Sequence, residues 1–161
     1  MGYFDFAQIC LNGHVVNDSA GTYPQYNENF CTECGAETIT KCPSCNTHIR
    51  GDYHSDAVVI IGGSRYKLPK FCHNCGQPYP WTKMKIEAAQ ELASEINELT
   101  DDERELLAKS IDEIIKDTPK TTVAATRFKK LLAKVGAPIA ESFREILVDI
   151  ISETAKKSIW G

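Results

Sequence analysis

Cysteine spacing constrains this chain more than any other feature. Seven cysteines stand among 161 residues, all between positions 10 and 75. Six form C-x-x-C pairs: Cys31 with Cys34, Cys42 with Cys45, and Cys72 with Cys75. A C-x-x-C turn aims two thiolates from one small loop at a common point, which suits a tetrahedral metal. Three pairs leave one four-ligand site half made. The seventh cysteine lies in Cys10-Leu-Asn-Gly13-His14, where Gly13 lets the chain turn tightly toward an imidazole. Cys10, His14, Cys31, Cys34, Cys42, Cys45, Cys72 and Cys75 therefore supply eight donors, enough for two structural Zn2+ ions with none spare.

Other uses of cysteine fit less well. An odd count, with no basic and apolar leader at the start, does not suggest a disulfide framework or a cleaved signal. A redox C-x-x-C belongs beside a βαβ pattern, which is missing. An iron–sulfur cluster also takes four thiolates, but paired knuckles favour zinc. Catalytic zinc keeps a ligand position open, and eight donors for two ions leave none. No deaminase, His-Glu-x-x-His, phosphate-loop or nucleophile-elbow pattern is present. His48, His54 and His73 read as surface groups or groups behind the ligands, with no catalytic residue and no small-molecule substrate indicated.

The knuckles can be grouped. Between Cys45 and Cys72, a β-branched run at 57–61, Gly62-Gly63 and a second run at 64–68 predict a β-hairpin. A hairpin between two knuckles is the layout of a zinc ribbon. Phe30-Cys31-x-x-Cys34-Gly35 repeats as Phe71-Cys72-x-x-Cys75-Gly76, each with a glycine suited to the positive φ that closes the turn. Tandem ribbons follow: Cys10, His14, Cys31 and Cys34 in one site, Cys42, Cys45, Cys72 and Cys75 in the other. A compact site from the two middle knuckles and a cross-brace are the rival groupings.

Composition changes at Pro78-Tyr79-Pro80-Trp81, so residues 1–81 read as a double-ribbon module and 82–161 as a helical one. The fold class is α+β. Apolar spacing predicts about four helices: 82–99 capped by Thr82, one after the Thr100–Glu103 capping box, a third opened by Thr118-Pro119, and a fourth from Pro138 to about Lys157. The fourth carries two apolar stripes, one through Ile139, Phe143 and Ile150, another through Val148, Ile151, Ala155 and Ile159. Either it is a central helix covered within the fold, or its second stripe meets a second copy or a partner. No apolar run approaches a membrane span.

Charge separates within the second half: eleven acids against three bases over 87–117, then five bases and no acid over 118–140. A basic helix bearing Lys120, Arg127, Lys129, Lys130 and Lys134 is more simply the partner of its acidic neighbours than a phosphate grip. The formal net charge is −4, and seven bound thiolates offset by two divalent ions make it about −7. That is a poor footprint for general nucleic-acid binding.

The framework Cys10-x-x-Gly13-His14, Phe30-Cys-x-x-Cys-Gly, Cys42-Pro43-x-Cys45 and Phe71-Cys-His-Asn-Cys-Gly, followed by Pro78-Tyr-Pro-Trp81, resembles a family of small bacterial zinc-ribbon proteins of unknown function. The tail from Arg127 to Lys157 is similar to helical C-terminal segments attached to varied bacterial proteins. The resemblance implies fold, metal and a bacterial, cytoplasmic setting, and carries no activity. The expected function is a non-enzymatic, zinc-stabilised binding or adaptor protein that docks on a protein partner or self-associates through its helices. Tyr53, Tyr66, Tyr79 and Trp81 are the aromatics available for contact or for a thin core. A nucleic-acid-binding regulator using the ribbon hairpin and the basic helix is the second reading.

Overall fold

A computed structural model describes residues 1–57, 61 and 66–161. The hairpin expected over 57–68 falls mostly on 58–60 and 62–65, outside the described residues. The fold is mixed α+β, with small antiparallel sheets in the N-terminal half followed by five helices. The chain divides into two compact units, Met1–Lys83 and Met84–Gly161.

In the first unit, β1 (Tyr3–Phe6) pairs antiparallel with β5 (Arg50–His54). A three-stranded sheet has the order β3 (Val15–Asn17), β2 (Gln8–Cys10), β4 (Thr38–Ile39). Gly51 is needed where β5 crosses the chain, because a Cβ there would stand 2.3 Å from the Asp18 carbonyl oxygen. The buried Asp5 carboxylate ties the segment after β3 to β1, accepting hydrogen bonds from the backbone amides of Phe6, Gly21 and Thr22. Burial works to raise the pKa of Asp5, but these donors outweigh it and hold the carboxyl below its ordinary value.

This unit has a sparse apolar interior. Its core is Ala7, Ile9, Ile49, Tyr79 and Trp81, completed by the sulfurs of Cys42 and Cys72. Tyr79 and Trp81 stack with ring centroids 4.8 Å apart, and the indole N–H donates to the Pro69 carbonyl at 2.9 Å. Both side chains are buried, so neither serves as a contact aromatic; Tyr53 is 47% exposed. Tyr66, half-buried, donates its hydroxyl to the Arg50 carbonyl.

The second unit packs α2 (Asp101–Ile115) on α3 (Thr121–Leu132) and α3 on α5 (Glu153–Trp160). The capping box forms: Thr100 Oγ1 accepts from the Glu103 amide, and Glu103 accepts from the Thr100 amide. Other helix ends depart from the expected ones. α1 begins at Pro80 and ends at Ser94, so Thr82 lies inside it. α3 begins at Thr121, because Thr118-Pro119 belongs to a turn in which Thr121 Oγ1 accepts the Thr118 amide.

The predicted fourth helix is two helices. α4 (Ala137–Leu147) stops, and Ser152 caps α5 by accepting from the Ala155 amide. The Ser152 amide donates to the Ile114 carbonyl, anchoring the break to the end of α2. The break also accounts for the two stripes. Phe143, Leu147 and Ile150 are buried from one, and Ile151, Ala155 and Ile159 from the other. Among the described residues, no helix is long and apolar enough to cross a membrane.

Candidate metal centres

Each C-x-x-C is built by the same local device. Isolated antiparallel bridges Phe30↔Glu37, Lys41↔His48 and Phe71↔Pro78 close the three knuckles at identical spacing. Within each, the first cysteine's amide donates to the carbonyl five residues on: Cys31 to Ala36, Cys42 to Thr47 and Cys72 to Gln77. Its carbonyl accepts from the amide of Gly35, Asn46 or Gly76. Those three residues have positive φ of 73°, 63° and 74°. Asn46 thus makes the middle knuckle a third copy of the repeat, which the sequence reading missed for want of a glycine; Asn is the side chain that best tolerates this conformation. The fourth turn is shorter, with Gly13 at φ 93° and the Cys10 amide donating to the His14 carbonyl. Trp81 packs against Gly13, where a Cβ would stand 2.9 Å from that of the indole side chain.

These turns bring the eight predicted residues into two clusters. Cys10, His14, Cys31 and Cys34 form one, and Cys42, Cys45, Cys72 and Cys75 the other, with the donor atoms of each within 4.8 Å of one another. The grouping is the tandem one, not the compact or cross-braced one. Each cluster could hold a metal ion.

The spacing tests the fit. Sulfur–sulfur distances are 3.7 Å for Cys10–Cys34, 3.8 Å for Cys42–Cys75 and 3.6 Å for Cys45–Cys72. A disulfide would need about 2.05 Å. Four thiolates at about 2.3 Å around one tetrahedral ion stand about 3.8 Å apart. His14 Nδ1 lies 3.4 Å from Cys10 Sγ and 3.7 Å from Cys31 Sγ, bracketing the roughly 3.6 Å expected of a nitrogen and a sulfur on one such ion. Both sets fit a single mononuclear cation.

The surroundings favour thiolate. Asn12 Nδ2 donates to Cys34 Sγ at 3.3 Å, and the His14 amide donates to Cys10 Sγ at 3.3 Å. The Ala36 amide, with Asn12, lowers the Cys34 pKa to about 6, and Thr47 does the same for Cys45. The Gln77 amide favours ionised Cys75, but burial and the neighbouring thiols prevail and push it up to about 12. Burial raises Cys10. Burial works to raise Cys72, but the Cys75 and Asn74 amides outweigh it and lower its pKa. Without a cation, then, each cluster holds at least one thiol poised to ionise and one that resists. The Tyr79 hydroxyl is buried without a hydrogen-bond partner among the described residues, and burial beside the Cys72 sulfur raises its pKa. A metal-held Cys72 thiolate is the acceptor such a hydroxyl requires.

His14 shows which nitrogen would face an ion held at the first cluster. Nδ1 points at the sulfurs, while Nε2 lies 3.5 Å from Glu33 Oε2. A carboxylate behind a ligating imidazole fixes its tautomer and orientation. Glu33 occupies a variable position inside its knuckle, so spacing gave no signal for it. Glu33→Gln is expected to weaken metal binding at this cluster about tenfold, the low end for such partners because the pair is solvent-exposed. Competition titration against a chromophoric chelator measures it, and unchanged affinity would mean that His14 needs no support.

The remaining histidines lie elsewhere. His48 stacks on Phe6, with centroids 4.4 Å apart, and His73 is exposed. His54 Nε2 lies 3.2 Å from Ser19 Oγ and 3.7 Å from Asp5 Oδ2. Serine and carboxylate address the same ring nitrogen, whereas a nucleophilic relay needs them on opposite ones.

Repeated knuckles and two four-donor clusters that could each hold a metal ion are consistent with zinc-ribbon-like sites. The chain matches, over residues 3–159, the family described as "Uncharacterized protein conserved in bacteria (DUF2321)", and it belongs to that family. No curated protein and no solved structure matches it.

Proposed function

We propose that the chain is a non-enzymatic binding protein whose first unit is held together by two structural zinc ions. The carrying observation is that each cluster presents four donors at the spacing of one tetrahedral ion. Thiolate-rich tetrahedral sites select zinc over hard cations. With all four positions filled by side chains, neither ion has room for water or substrate, so the metal orders the loops rather than doing chemistry. Elemental analysis of the purified chain tests this: two equivalents of zinc are expected, and iron or a single equivalent would contradict it.

Docking on a protein partner is assigned to the helical unit. Its support is a groove of about 640 Å³ between α2 and α3, where Leu106 is 37% and Val123 58% exposed. Lys120 and Arg127 line the same groove together with Asp112 and Glu113, and neither base has a carboxylate within salt-bridge distance among the described residues. An amphipathic segment carrying charges of both signs suits that combination. With the second stripe buried, sedimentation of the metal-loaded full chain is expected to show a monomer. Concentration-dependent assembly abolished by Val123→Glu would instead make the occupant a second copy.

The nucleic-acid reading finds less support in α3. Lys134 pairs with Glu103, and Lys129 donates to the Ser158 carbonyl at 3.4 Å, so the basic residues do not form one free stripe.

A further inference from the structure

The β1–β5 ribbon carries an aromatic and cationic face that neither the metal clusters nor the helical groove uses. Phe4 and Phe6 stand two residues apart on β1, on either side of a register shift against β5, and both line one cavity. Phe4 is 55% exposed, has Tyr53 edge-on at 5.0 Å, and lies under the Arg50 guanidinium at 4.6 Å. Phe6 stacks on His48, which is itself exposed. Lys41 is bridged directly across from His48, so the two side chains leave the knuckle on one face. Phe4, Phe6, Lys41, His48 and Arg50 line a cavity of about 530 Å³, whose lining also includes His73 of the third knuckle.

The electrostatics of this cavity run against those of the whole chain. Arg50 and Lys41 have no carboxylate within salt-bridge distance among the described residues. The one acid in the lining, Asp5, is buried and occupied by three backbone amides. Exposed ring faces interleaved with uncompensated cations are the chemistry that holds a planar ring and an adjacent anion together.

We propose that this cavity binds a nucleotide, the base stacking on the His48–Phe6 pair or on Phe4 and the phosphate meeting Arg50 and Lys41. The ligand is either a free nucleotide or a nucleotide within a single strand. The site deepens the reading of a metal-held binding protein, since His48 and His73 belong to the two knuckles joined at the second cluster.

Calorimetry on the metal-loaded full chain at low salt tests it, with adenosine monophosphate, a uridine hexanucleotide, inorganic phosphate and a glutamate-rich peptide as probes. Both nucleotide probes are expected to bind, and His48→Ala and Arg50→Gln to weaken each by about tenfold or more. Lys41→Gln should flatten the salt dependence. Tighter binding of the hexanucleotide assigns a single strand, and equal affinity a free nucleotide. No nucleotide binding by a chain that retains its metals overturns the site. So does phosphate or the acidic peptide binding as tightly as the monophosphate, or wild-type affinity in both variants. A chain that folds without metal refutes the zinc reading separately and leaves the nucleotide titration decisive.

Discussion

Stripping the metals is expected to unfold Met1–Lys83 while the helices of Met84–Gly161 persist. A structural zinc contributes roughly 10–16 kcal/mol in small modules, as much as the whole stability of an ordinary domain. Here there is little to replace it. Among the described residues, the buried apolar cluster of the first unit is five side chains plus two cysteine sulfurs, and no helix precedes Pro80 apart from one short 3-10 turn. Chelation followed by far-ultraviolet dichroism and limited proteolysis should therefore show retained helix and cleavage confined to residues 1–83. An intact, protease-resistant first unit would show that side-chain packing alone suffices.

Acid should do the same work as chelator, with a predictable slope. Bound sulfur is thiolate, so every thiol protonated in the metal-free chain must release a proton on loading, and affinity falls as pH falls. Cys10 and Cys75 are raised and hence protonated near neutral pH. Each cluster should then lose at least tenfold in affinity per pH unit around neutrality. Below the value of about 6 for Cys34 and Cys45, a further proton per cluster is taken up and the loss steepens by about another tenfold per unit. Metal-binding titrations from pH 8 to 5 measure both slopes. A flat profile would mean that these sulfurs do not ligate.

The second large effect lies in the helical unit. Phe128 and Phe143 are fully buried and meet edge to face at 5.8 Å, joining α3 to α4. Phe128→Ala removes the ring and leaves a cavity, at a cost of about 3–5 kcal/mol. For a unit of this size, that lowers the melting temperature by about 15 °C or more. All eight donors lie between residues 10 and 75, so metal content should stay at the wild-type value. Calorimetric scanning with elemental analysis reads both. A melting temperature within a few degrees of wild type would contradict the packing described here.

The two four-donor clusters were legible in the sequence because donor spacing is local chemistry. A C-x-x-C turn with its closing glycine is specified within seven residues, and the repeated Phe-Cys-x-x-Cys-Gly named the equivalent halves. Asn46 and Glu33 were not legible, since each acts through a backbone angle or a distance that residue type alone does not announce. The β1–β5 ribbon was missed for a different reason. Tyr3–Phe6 and Arg50–His54 pair across more than forty residues, and exposed aromatics on both faces blur the alternation that marks a strand. Helix ends failed where one signal had two readings: Thr118-Pro119 makes a turn as readily as a cap, and Ser152 starts a helix inside what reads as one continuous apolar run.

X-ray absorption at the zinc edge, paired with elemental analysis of the purified full chain, tests the central claim most directly. Seven sulfurs and one nitrogen shared by two ions predict two zinc equivalents and an average shell of about 3.5 sulfurs and 0.5 nitrogen, with Zn–S near 2.3 Å. A shell containing oxygen, or thiols that prove to be disulfide-linked with no zinc present, would contradict it.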